Sequence, residues 1–179
     1  MKLTDLKNKT FLYPTDTTFG LGCDATNVDL IQKIYQIKNR SDAKSFVILV
    51  ENAARLQELV DVPDLAWDIM DLSEKPVTII YDRPRNLPKE LVAEDQTIAI
   101  RLTDDLLCKK IISALNAPIV STSANLSGAP TAEHFEGIPQ KIKDEVDFVF
   151  PECENFTPKF TASSIIKLSA DGQVKVIRE

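Results

Sequence analysis

Histidine is almost absent from this sequence, glycine is sparse and cysteine is scattered: 1, 5 and 3 residues respectively in a chain of 179. The lone histidine, His134, has acidic and apolar neighbours and no G-x-S-x-G elbow to serve, so a surface position is expected and a Ser–His hydrolase is not. The few glycines do not make a Walker loop, because no Gly-Lys-Ser/Thr follows them. Cys23, Cys108 and Cys153 are odd in number and lack CxxC spacing. They imply neither a disulfide framework nor a zinc site; buried free thiols are expected. No apolar run is long enough to span a bilayer, and the basic MKLTDLKNKT start has no apolar signal core. No membrane association and a cytoplasmic home are therefore expected. Paired carboxylates of glycosidase type are missing too.

What remains has the composition of an ordinary folded protein, with 44% hydrophobic and 27% charged residues, and the length of a single domain over 1–179. A net charge of −6 argues against non-specific nucleic-acid binding over the whole surface. Lys33, Lys38, Arg40 and Lys44 nevertheless stand close enough to form a local basic patch, while Glu58 to Glu74 is mostly acidic.

Short apolar runs of strand type recur at Phe11–Tyr13, Phe46–Val50, Val77–Tyr81, Ile98–Ile100, Ile119–Ser121, Phe148–Phe150 and Ile165–Leu168. Helical periods lie between them. Leu30, Ile31, Ile34 and Ile37 share a face of a helix over 27–38 capped by Asn27; Leu107, Ile111, Ile112 and Leu115 do so over 104–116, capped by Thr103. Residues 52–60 and 64–72 are shorter helix candidates, and Asp171-Gly172 marks a hairpin between two final strands. The pattern is that of an α/β domain with a mixed sheet.

Three polar stretches stand out. In YPTDTTFGLGCDAT, residues 13–26, hydroxyls lead into Gly20-Leu21-Gly22. This is either a ligand loop or a turn, and on spacing alone a strand-to-helix connection with threonine turn residues is favoured. In YQIKNRSDAKSF, residues 35–46, Lys38, Arg40 and Lys44 follow a helix end. They suit a polyanion, and equally a helix dipole. In APIVSTSANLSGAPTAEHF, residues 117–135, a strand runs into Ser121, Ser123 and Asn125, which share one face if the chain stays extended. That is a frequent way to build a ligand site, with a solvated turn as the alternative.

Together these stretches resemble one family. Tyr13-Pro14-Thr15-Asp16-Thr17 through Gly20-Leu21-Gly22, then Lys38-x-Arg40, then Ser123-Ala124-Asn125-x-Ser127-Gly128 occur in this order in the YrdC-like L-threonylcarbamoyladenylate synthases. The likeness runs from residue 11 to Arg178 and includes Thr97–Arg101 and Ser163–Ile166. Glu74-Lys75-Pro76, Lys44-Ser45, Arg101-Leu102-Thr103 and Leu49 depart from the usual pattern.

The resemblance implies a twisted mixed β-sheet with flanking helices and a large, positively charged concave cavity. It also implies a reaction: L-threonine, bicarbonate (or CO2) and ATP give threonylcarbamoyl-AMP and pyrophosphate. Mg2+ would accompany the triphosphate, and no protein metal site is implied. The product would pass to tRNA threonylcarbamoyl-transfer proteins, with tRNA or double-stranded RNA as a further partner. By similarity Lys38, Arg40, Ser123 and Asn125 are the catalytic set. Arg40, Lys44, Thr97, Asn125 and Arg178 would hold ATP. Thr17, Arg101, Ser123 and Ser163 would hold threonine, with Ser164 the alternative to Ser163. The competing readings are a non-catalytic RNA-binding module and a hydrolase of carbamoyl or acyl phosphates.

Overall fold

The apolar runs assemble into one sheet. A computed structural model describes residues 2–39, 46–169 and 171–179. In chain order the strands and helices are β1 (Phe11–Pro14), β2 (Phe19–Asp24), α1 (Val28–Ile37), β3 (Val47–Val50), α2 (Ala53–Leu59), α3 (Asp64–Leu72), β4 (Val77–Asp82), β5 (Thr97–Leu102), α4 (Leu106–Leu115), β6 (Ile119–Ser123), α5 (Gln140–Glu145), β7 (Phe148–Val149), β8 (Ser164–Leu168) and β9 (Val174–Arg178). The strands lie in the order β7-β1-β2-β6-β3-β5-β4-β8-β9. The pairs β1/β7, β3/β5 and β4/β8 are parallel and the others antiparallel, so the sheet is mixed, as expected.

The helices form where periodicity and caps agree. Asn27 caps α1, its side-chain oxygen accepting from the Leu30 amide at 3.2 Å. The face of α1 that carries Leu30, Ile31, Ile34 and Ile37 is buried. Each fully enclosed isoleucine there contributes roughly 1.5–3 kcal/mol of transfer free energy. On α4, Cys108, Ile111, Ile112 and Leu115 are buried, and Asn116 closes the helix in the left-handed conformation at φ 50°. Its cap differs from the sequence reading. Asp105 accepts from the Cys108 amide at 2.8 Å, while Thr103 accepts from the Asp105 amide one step earlier. A carboxylate at the helix start gains from the dipole as well as the hydrogen bond.

A larger correction concerns residues 19–24. They are not a connection into a helix but strand β2, wholly buried and paired with β1 on one side and β6 on the other. Glycines weaken a strand in isolation. Here they are required by contact. A Cβ on Gly22 would lie 2.7 Å from the Val120 carbonyl oxygen and 2.9 Å from the Phe11 ring, and one on Gly20 would lie 2.8 Å from the Tyr13 ring. The first stretch thus turns between two antiparallel strands at Thr15–Thr18.

Candidate active site

The turn joining β1 to β2 is held by its own hydroxyls. Thr15 is buried, its Oγ1 donating to the Thr18 carbonyl at 2.8 Å and accepting from the amides of Thr17 and Thr18. This is the local side-chain bonding that threonine offers in turns. Asp16 projects from it to Arg101 of β5, whose Nη2 donates to both carboxylate oxygens, at 2.6 Å to Oδ1. Both side chains are mostly enclosed, at 7% exposure for Arg101 and 12% for Asp16. Below the turn, the Tyr13 hydroxyl donates to Ser121 Oγ at 2.7 Å, and burial pushes that phenol well above its ordinary pKa.

The second element is the end of β6. Ser123 closes the strand, and its hydroxyl donates to the Asn125 side-chain oxygen. The Asn125 amide donates to the carbonyls of Leu126 and Ala129, at 3.0 and 2.6 Å. Lys38, expected to reach phosphate, lies at the end of α1 with 2% exposure. Its ammonium donates to the main-chain carbonyls of Ser123 and Asn125 at 2.5 and 2.7 Å. The expected exposed cationic patch is correspondingly reduced in its described members. Lys38 is buried on carbonyls and Lys33 is paired with Asp147 at 2.7 Å. Arg40 and Lys44 lie outside the described residues.

The third element is the β8–β9 edge. Lys167 faces Lys175 and Ile166 faces Val176, but Ile165 faces Arg178, so Ile177 is an extra residue. Such a bulge re-aims the side chains beyond it. Without it, alternation would send Ile177 and Arg178 to opposite faces; with it, both line the same cavity as Lys175. Arg178 donates from Nε and Nη2 to the Ser163 carbonyl at 3.0 and 2.7 Å. The Ser163 hydroxyl meets Thr78 Oγ1 at 2.9 Å. Of the two serines considered for this corner, Ser163 lines the cavity and Ser164 does not. On the neighbouring strand Thr97 donates to Asp95 at 2.6 Å. Hydrogen bonds from Lys167 and then Thr97 hold the Asp95 carboxyl below its ordinary range.

These elements surround a cavity of about 1440 Å³, larger than the pockets that usually hold one small ligand. Thr17, Thr97, Arg101, Ser123, Ser163 and Arg178, drawn from five segments (Thr97 and Arg101 share β5), all line it. Among the described lining residues, five cations (Arg101, Lys159, Lys167, Lys175, Arg178) outnumber three acids (Glu94, Asp95, Glu133) in a chain of net charge −6. His134 is exposed on the wall, without a hydrogen-bonded serine among the described residues. No group of three or more potential metal ligands occurs among the described residues. No helix of the described residues is long and apolar enough to cross a membrane.

The Sua5/YciO/YrdC family model, described as "Telomere recombination", matches residues 6–179. The chain belongs to this family. It is 30% identical over 172 residues to a threonylcarbamoyl-AMP synthase of Pseudoalteromonas translucida, covering 94% of this chain and 90% of that one. Its fold is that of YciO from E. coli, at a TM-score of 0.81 with 22% identity over 98% of this chain and 86% of that one. It is also that of P. abyssi Sua5 complexed with L-threonine, at a TM-score of 0.79 with 21% identity over 92% of this chain. This chain spans 49% of that Sua5 chain.

Against the family motifs, sequence reasoning had missed the partners that hold the lining side chains in place. Asp16 lay inside the quoted motif without a role, although a carboxylate flanked by two threonines in an otherwise neutral turn was the available signal. Thr78, Asp95 and Tyr13 left none, because their partners Ser163, Lys167 and Ser121 are remote in sequence.

Proposed function

We propose that this protein is an L-threonylcarbamoyladenylate synthase, acting as one YrdC-like domain on L-threonine, bicarbonate (or CO2) and ATP. The observation that carries the reading is the shared cavity. Six residues singled out from family motifs, and separated by up to 161 positions between Thr17 and Arg178, line one space rich in cations and hydroxyls. The named relative at 30% identity over nearly the whole chain supports it.

The chemistry asks for position and charge rather than a protein nucleophile. The amine of threonine attacks the carbon of bicarbonate with loss of water, or of CO2 with loss of a proton, to form a carbamate. A carbamate oxygen then attacks the α-phosphate of ATP, and pyrophosphate leaves. Threonine's carboxylate, the carbamate and the triphosphate are all anionic, so holding them together requires cations and hydrogen-bond donors. Arg101 supplies a planar fork for the carboxylate of threonine, with Thr17, Ser123 and Ser163 supplying hydroxyls around it. Thr97 and Arg178 face the nucleotide, and Arg40 and Lys44 extend toward its phosphates. Lys38 and Asn125 brace the end of β6 that carries Ser123. Mg2+ arrives on the triphosphate, where it needs few protein ligands. The mixed anhydride is labile and passes to the tRNA threonylcarbamoyl-transfer proteins.

Incubation with ATP, bicarbonate and threonine should release pyrophosphate and yield threonylcarbamoyl-AMP by mass spectrometry, and omission of threonine should abolish both. Failure to form product with all three present would overturn the assignment.

A further inference from the structure

The Asp16–Arg101 ion pair is unusual in its placement. Arg101 lines the cavity and Asp16 does not, so the carboxylate reaches the guanidinium from outside the ligand space. It engages only Nη2, and no hydrogen bond from Nε or Nη1 to any described residue is formed. A guanidinium that lines the cavity at 7% side-chain exposure, with its Nε and Nη1 donors unused, suits an anion that enters the cavity.

The main chain at Asp16 is held in place. Its carbonyl accepts from the amides of Lys159 and Phe160 at 3.1 and 3.0 Å, tying it to the segment that leads to Ser163. The residue before it, Thr15, bonds the amides of both residues after it. A carboxylate on a main chain anchored in this way has only its own two side-chain torsions with which to follow a swinging arginine, and so limits where the arginine points.

We propose that Asp16 is a positioning residue for the substrate carboxylate, acting through Arg101. It holds Nη2 so that the guanidinium plane, with its unused Nε and Nη1 donors, keeps one orientation at the cavity wall. This rests on the synthase reading above. A fixed guanidinium meets a carboxylate with its donors already aligned, whereas a wandering one must be ordered on binding, at a cost in affinity. An alternative exists in which Asp16 merely fills the anion position and competes with substrate. The two differ in sign. Removing a competitor tightens substrate binding, and removing a positioner weakens it.

The test is steady-state kinetics on wild type and Asp16→Asn, following pyrophosphate release with threonine and ATP varied separately. The expected result is a threonine KM raised on the order of tenfold or more, the loss of one charge-assisted contact. The ATP KM and the kcat at saturating threonine should stay within about twofold of wild type. If Asp16→Asn does not fold, Asp16→Glu keeps the charge while displacing the carboxylate by one methylene, and should shift the threonine KM in the same direction. A lowered threonine KM overturns the proposal in favour of competition. An unchanged threonine KM, or a rise matched by the ATP KM, overturns it in favour of a role in the turn alone. Absence of product from the wild type removes the synthase reading and this inference with it.

Discussion

Replacing Lys38 by methionine separates bracing from ligand contact at the most enclosed lysine of the site. The side chain is 2% exposed and its ammonium donates to two carbonyls, those of Ser123 and Asn125, at 2.5 and 2.7 Å. Methionine keeps the length and apolar stem but leaves both acceptors without that partner. The Ser123 carbonyl keeps the Asn125 amide at 2.9 Å, so the main loss is at the Asn125 carbonyl, and a buried acceptor stripped of its partner costs about 1–3 kcal/mol. A protein of this size holds on the order of 5–15 kcal/mol in total. The expected fall in melting temperature is roughly 2–12 °C. Circular dichroism melts at matched concentration measure it, and pyrophosphate release well below the variant's transition measures the consequence for Ser123. Unchanged melting with turnover lost would refute the bracing argument and return Lys38 to direct contact with phosphate.

Gly22→Ala should destabilise by about 1–3 kcal/mol in a denaturant titration, because the new Cβ meets the main-chain oxygen of Val120 at 2.7 Å, which cannot rotate aside. The three cysteines are buried and burial pushes each thiol up, to about 12 at Cys153, so a disulfide reagent at pH 8 should modify none in the folded protein and all three after unfolding. Asp147 should carry part of the acid sensitivity. Burial pushes its carboxyl up, but hydrogen bonds from Lys33 and Thr10 outweigh that and hold it below its ordinary range. Its stabilising contribution is therefore full at neutral pH and lost as pH falls below about 4, through the depressed value. Asp147→Asn should show a flatter loss of stability between neutral and acid pH; an unchanged slope would remove Asp147 from that role.

Local chemistry was readable from the sequence wherever it decides structure alone. Asn27 and the stripe Leu30–Ile37 announced α1, and Asp171-Gly172 announced the turn between β8 and β9, where Gly172 takes φ +86°. What could not be read depends on partners far along the chain. Strand β2 looked like a loop because its glycines answer to the rings of Phe11 and Tyr13 and to the carbonyl of Val120. Helix α5 has six residues and buries only Ile142, too little for a period to show. The site divided in the same way. Many of the hydroxyls and cations at the cavity were visible in motifs, while Asp16 and Thr78 find their partners across 85 positions each. Lys38 was read as a ligand contact for the same reason, since its carbonyl partners lie 85 and 87 positions away.

The distribution of buried polarity fits a reaction that uses no protein nucleophile. Of the ten buried polar or charged residues among those described, seven (Thr15, Lys38, Thr78, Thr97, Arg101, Asn125 and Ser163) stand in or directly behind the cavity wall. Burying such groups is unfavourable unless each is bonded, and each of the seven is. Two pairs run from the wall to a group behind it, Arg101 on Asp16 and Ser123 on Asn125, and two lie along the wall, Thr97 on Asp95 and Ser163 on Thr78. An enzyme that works by gathering three anionic reactants gains only if its donors are already in place when charge moves, because reorienting them during the reaction would return the barrier it removes. Stability that an apolar core would have supplied at these positions is exchanged for fixed direction. Substitutions behind the wall should therefore reach substrate binding almost as strongly as substitutions on it.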